Sequence, residues 1–171
     1  MAGSGLATAA LVCVLAAATP SAAQAVDPSV VTQAELDIVN ARYARFIDEA
    51  IGGMQAGMRS TLLKQADELP DHMRDSFKAS FNRFTDGIRP RLRVELARAF
   101  AMTFTQTELE NDLAVAPARQ PVVEARSVAL GEEIGIRVGR EAWLQACDEA
   151  GAAAANECSR IRAALQTASV E

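Results

Sequence analysis

Twice in this chain a threonine is followed three residues later by a glutamate, with an apolar residue flanking the pair on each side. The two stretches are Val31-Thr32-Gln33-Ala34-Glu35-Leu36 and Phe104-Thr105-Gln106-Thr107-Glu108-Leu109. In such a capping box the hydroxyl and the carboxylate each satisfy a backbone N–H that the first turn of a helix leaves open. The flanking pairs, Val31 with Leu36 and Phe104 with Leu109, occupy the positions of a hydrophobic staple, which sets the angle at which the chain enters the helix. A chain punctuated in this way is built from helices. Composition agrees, because aromatics make up only 5 % of the 171 residues while Ala, Leu and Arg are common. Half of the residues are apolar, enough for a buried core. A net charge of −5 gives no general attraction to nucleic acid or to anionic lipid.

Residues 1–25 read as a cleavable signal peptide. Leu6 to Ala18 is an unbroken small and apolar run without a charged side chain, followed by Pro20 and by Ala23-Gln24-Ala25. That small-x-small triplet is the pattern a signal peptidase cuts, so cleavage is expected near Ala25. The amino terminus alone supplies positive charge ahead of the run. The run is too short to cross a bilayer with its flanks. Val12 precedes Cys13 where a lipoprotein leader carries a small residue, so no lipid anchor is expected. The processed chain, residues 26–171, is expected to form a single all-helical domain, periplasmic or secreted and not membrane-spanning.

Apolar spacing sets out the helices in order. From Thr32 a helix carries Leu36, Val39, Tyr43, Phe46, Ile47, Ala50, Met54 and Met58 at three- and four-residue steps, running to about Leu69 before Pro70. Asp71 is in place to cap a second helix with Met73, Phe77, Phe81, Phe84 and Ile88 on one face. Thr85-Asp86-Gly87 interrupts it, and Pro90 suits the first turn of a third helix through Leu92, Leu96, Phe100 and Phe104. A fourth runs from Thr105 to about Val115. Five of the six Phe lie between Phe77 and Phe104, which predicts that this corner faces the centre of the core.

Around that corner, from Leu96 to about Ala125, the chain resembles the domain of unknown function 2059 family. Those are exported bacterial helical proteins whose signature joins Phe-Thr/Ser-x-x-Glu-Leu to a following Phe-Tyr-x-Ser-Pro-x-Gly. Phe104, Thr105, Glu108, Leu109, Leu113 and Pro117 fit the spacing. The aromatic pair is absent, Ala116 stands in place of Ser, and Arg119 in place of Gly. The resemblance implies a helical fold and an exported location, and it implies no activity.

Pro121 suits the start of a long fifth helix towards Ala150, supported by charge pairs at four-residue spacing, Glu133 with Arg137 and Arg137 with Glu141. Gly131, Gly135 and Gly139 recur along one side of it, where glycine is costly. The expected offset is close backbone approach, with Gly53 and Gly57 of the first helix as the partners. Gly151 to Ala155 is a turn of small residues, and a last helix follows from Asn156 to about Ala168. Cys147 and Cys158 stand about equally far from the middle of that turn, so an antiparallel hairpin sets them opposite each other. In an oxidising compartment that placement predicts a disulfide.

Catalytic constellations are thin. His72 is the only histidine, with Ser76 one turn after it and Glu68 one turn before, but Pro70 interrupts the helix that would align them. Zinc would need more than one histidine and two separated cysteines, and calcium a denser run of carboxylates. No cofactor is expected. The run Arg83, Arg89, Arg91, Arg93 and Arg98 reads as a solvated face paired with acids, with a grip on an anionic envelope component as the functional alternative. The expected fold is all-α, a bundle of five or six helices. The expected role is that of a non-catalytic envelope protein acting through protein contacts. Two other classes stand beside it. One is a carrier of an apolar or lipid-like ligand, suggested by Met54, Met58, Met73 and Met102; the other is a hydrolase using His72.

Overall fold

The computed structural model describes residues 31–167, and these contain helix and turn but no strand. The leader expected over residues 1–25, with Cys13, lies outside the described residues. Seven α-helices follow in order: α1 Gln33–Arg42, α2 Ala44–Asp67, α3 Asp71–Gly87, α4 Arg89–Thr103, α5 Gln106–Glu110, α6 Gln120–Ala150 and α7 Ala155–Thr167. Single 3-10 turns, Pro117–Arg119 and Gly151–Ala154, precede α6 and α7. The all-α expectation holds.

Both capping boxes form. Thr32 Oγ1 accepts from the Glu35 N–H at 3.2 Å and Glu35 Oε2 accepts from the Thr32 N–H at 2.8 Å, which starts α1. The helix expected to run to about Leu69, with a kink at its glycines as one reading, instead bends at Tyr43, where φ −112° and ψ 9° leave the helical region. The glycines are not the cause, since α2 passes through Gly52, Gly53 and Gly57 without interruption. The bend lies where the Arg42 and Tyr43 side chains reach across to α5.

Other boundaries shift for local reasons. Pro70 occupies the cap position of α3, so Asp71 is its first residue; the Asp71 carboxylate pairs with Arg74 at 2.9 Å instead of capping. The interruption expected at Thr85-Asp86-Gly87 falls at Ile88, the one residue between α3 and α4. The fourth expected helix stops at Glu110, because Asp112 (φ 53°) and Leu113 (φ 61°) take left-handed conformations. α6 keeps nearly its expected span, and Gly151 turns the chain at φ +61°, a conformation glycine adopts without a Cβ penalty.

The chain forms two compact units, one from residues 31–53 with 91–133 and one from 54–90 with 134–167. The first buries Val39, Ile47, Ile51, Leu92, Ala97, Ala101 and Leu109. Its aromatic rings stack in series, Tyr43 on Phe100 at 5.1 Å and Phe100 on Phe104 at 4.8 Å, with Phe46 on Phe100 at 5.6 Å. The second packs Leu62, Ala66, Met73, Phe77 and Phe81 with Ala142, Ala146, Cys147, Ala154 and Cys158. There Trp143 meets Phe81 edge-on at 5.0 Å and Phe77 at 5.7 Å, while its indole N–H donates to Gln65 Oε1 at 3.3 Å. The phenylalanines expected at one central corner are thus divided, Phe77 and Phe81 in the second unit and Phe100 and Phe104 in the first.

The glycine seam also needs correcting. A Cβ placed on Gly57, Gly131, Gly135 or Gly139 meets no atom within 4 Å, so close approach does not require glycine at these four positions. Gly53 is half-buried within α2. The spacing of the glycines on α6 therefore leaves their conformational cost without an offset. Replacing Gly131, Gly135 or Gly139 by Ala should raise stability by about 1 kcal/mol each in urea unfolding. A loss of stability at any of the three would restore the close-approach reading there.

Candidate functional site

A dense polar arrangement surrounds α5. This helix has five residues, too few to persist on its own helical propensity. Its start is closed by the capping box, in which the Glu108 N–H donates to Thr105 Oγ1 at 3.3 Å and the Thr105 N–H donates to Glu108 Oε2 at 2.8 Å. Glu108 is 7 % exposed, and a buried carboxylate needs a counter-charge. Arg119, from the 3-10 turn, supplies it as a two-pronged fork. Its Nε donates to Oε1 and its Nη2 to Oε2, both at 2.7 Å. Nη2 also reaches the Thr103 carbonyl at the end of α4, at 3.2 Å.

The far end of α5 is closed from α1. The Tyr43 hydroxyl donates to the Leu109 carbonyl at 2.8 Å, and the Arg42 guanidinium donates to the Leu109 and Glu110 carbonyls. The Arg119 guanidinium holds the Glu108 carboxyl below its ordinary range despite burial, and the Thr105 amide adds to the effect. Glu108 in turn raises Arg119. A carboxylate kept ionised, with both oxygens occupied, is suited to hold structure and not to move protons.

The other candidates do not converge. His72 is exposed in the first turn of α3, and the Ser76 hydroxyl donates to the Met73 carbonyl at 2.8 Å, within its own helix. The basic run is largely matched with acids: Arg83 with Glu149, Arg91 with Glu95 at 2.9 Å and Arg93 with Asp48 at 3.1 Å. Met73 is 1 % exposed, packed in the second core beside Phe77 and Phe81, and Met58 packs against the same cluster. Among the described residues no group of three or more His, Cys, Asp or Glu side chains is placed to hold a metal ion. Among them, too, no helix is long and apolar enough to cross a membrane.

Cys147 and Cys158 do meet. Both are buried free thiols, and the Cys158 thiol donates to the Cys147 carbonyl at 3.8 Å. Burial first, and then the neighbouring Cys158 thiol, push Cys147 up to about 12. Beside them is an open recess of about 380 Å³, bordered also by Gly151 and Ser159 and by Asp148 and Arg162. The last two form an ion pair at 2.7 Å.

Sequence reasoning missed Arg119, Arg42 and Tyr43 as binders of α5, and it missed Gln55 and Arg59 at the end of α3. The Gln55 amide donates to the Thr85 carbonyl at 2.7 Å, and Arg59 reaches the Thr85 hydroxyl at 3.1 Å and the Asp86 carboxylate. One signal was visible, because Arg119 stands where the resembled signature carries Gly. A guanidinium at that position has Glu108 to find. Comparison with protein-family models, with curated proteins and with solved structures found no match.

Titration offers a test of the ion pairing in the second unit. Glu149 accepts from the Gln145 amide at 2.8 Å and from Arg83, and these bonds hold its carboxyl down to about 2, against an ordinary 4.5. A depressed folded-state value stabilises the fold above the unfolded value and is lost as pH falls through the folded one. Wild type should therefore melt higher than Glu149→Gln at pH 6, and the gap should close between pH 4.5 and about 2. A gap independent of pH would reject the pairing.

Proposed function

We propose that this chain is the precursor of an exported helical protein of the cell envelope, periplasmic after processing, that works through contacts with other proteins and not by catalysis. The observation that carries the location is the apolar run Leu6 to Ala18 with its Ala23-Gln24-Ala25 exit. The resemblance of Leu96 to Ala125 to the domain of unknown function 2059 family, whose members are exported, supports the same address. The role through contacts is supported by how the charged side chains are used. Glu108, Glu149 and most of the basic run are engaged in pairs inside the fold, which leaves them to hold its shape. A partner would then read a fixed helical surface.

The test is fractionation of bacterial cells producing the full chain, with amino-terminal sequencing of the product. A periplasmic polypeptide beginning at Val26 is expected. A cytosolic product that keeps Met1 or Ala2 would overturn the reading. In-cell crosslinking of the processed form should then capture envelope protein. Recovery of bound lipid in its place would favour the carrier.

A further inference from the structure

Among the described residues, the carboxy-terminal hairpin is lightly packed beyond its turn. Among the described side chains of residues 151–167 only Ala154 and Cys158 are buried, and Ile161 packs partly against the same cluster. The ion pair from Arg162 to Asp148 joins side chains that are 41 % and 73 % exposed, and exposed pairs of this kind contribute little. Among the described residues, α7 thus buries little of the apolar surface that normally holds a helix in place. Yet its most buried side chain is a cysteine, set directly against a second cysteine on α6.

We propose that Cys147 and Cys158 are joined as a disulfide in the mature protein, and that this bond is the clasp that keeps α7 on the hairpin. The proposal rests on the exported reading for its oxidising compartment. The bond forms by exchange with the disulfide of a thiol–disulfide oxidoreductase. The thiolate of one cysteine attacks a donor sulfur and displaces the other donor sulfur as thiolate. The second cysteine's thiolate then attacks the mixed disulfide at the protein sulfur, closing the Cys147–Cys158 bond. Two protein thiols lose two electrons, the donor disulfide gains them, and the two protons end on the donor's dithiol. In the closed hairpin both thiols are buried, Cys147 at 2 % and Cys158 at 1 % exposed, so neither is presented to a donor disulfide. Exchange therefore takes place before the hairpin closes or while it is open, and the finished bond is shielded.

Both cysteines fall in one tryptic peptide, Glu141 to Arg160, which is separate from Cys13. The full chain, unfolded and reduced, is refolded in a buffer of oxidised and reduced glutathione, alkylated and digested. The expected peptide is lighter by two hydrogens and carries no alkyl group. Backbone amides of α7 should exchange on the order of a hundredfold more slowly in this product than in the same protein after reduction, the factor expected from closing so short a loop. The Cys147→Ala/Cys158→Ala variant should exchange like the reduced protein. Two alkylated cysteines, two glutathione adducts, or a bond to Cys13 would overturn the pairing. A bridged peptide with unchanged exchange would overturn the clasp. A bridge that forms in refolding but is missing from protein taken from cells would count against the exported reading and leave the clasp standing.

Discussion

A five-residue helix cannot hold itself together, and the first unit of this protein is arranged around one. Every helix end leaves backbone groups without intrahelical partners, and in α5 those groups make up most of the element. Side chains from distant points in the chain take them up. Thr105 and Glu108 close the start, and Arg42 and Tyr43 close the finish. Arg119 then neutralises the buried carboxylate that the cap requires and ties it to the last carbonyl of α4. The interaction on which this corner depends is the forked bond between Glu108 and Arg119. Without it the cap would place an unpaired charge in a dry site, which is costlier than having no cap.

The same economy explains where the chain bends. Tyr43 leaves helical geometry next to the residues whose side chains reach α5, and α1 packs against α5 as a result. In the second unit apolar contact does more of the work, with Phe81 edge-on to both Phe77 and Trp143 and Phe77 tilted against Trp143. Burying aromatic rings in this way stabilises a fold by about 2–3 kcal/mol per ring. The carboxy-terminal hairpin joins that cluster through Cys147, Ala154 and Cys158, with Ile161 packed partly against it.

What could be read in the sequence was local. Thr32 and Thr105 announced their helices because the cap partner lies three residues away. Pro70, Pro121 and Gly151 marked boundaries because their backbone constraints act at their own positions. The helix–turn–helix that opposes Cys147 to Cys158 followed from the placement of one small-residue turn. What could not be read depended on three-dimensional neighbours. Arg119 lies 11 residues from Glu108, and no helical periodicity links a turn residue to a cap. The glycines of α6 recur at four-residue steps whether that face is packed or open, so their spacing could not reveal that a Cβ there meets nothing. Phenylalanines clustered along the chain also separated, because Phe81 and Phe100 serve different cores.

The account is tested most directly by a double-mutant cycle between Glu108 and Arg119, read as the unfolding free energy of wild type, Glu108→Ala, Arg119→Ala and the double variant. A buried, forked pair should give a coupling of about 2 kcal/mol, with Arg119→Ala costing more alone than in the Glu108→Ala background. Additive losses, with coupling near zero, would show that α5 stands without the pair and would contradict the account.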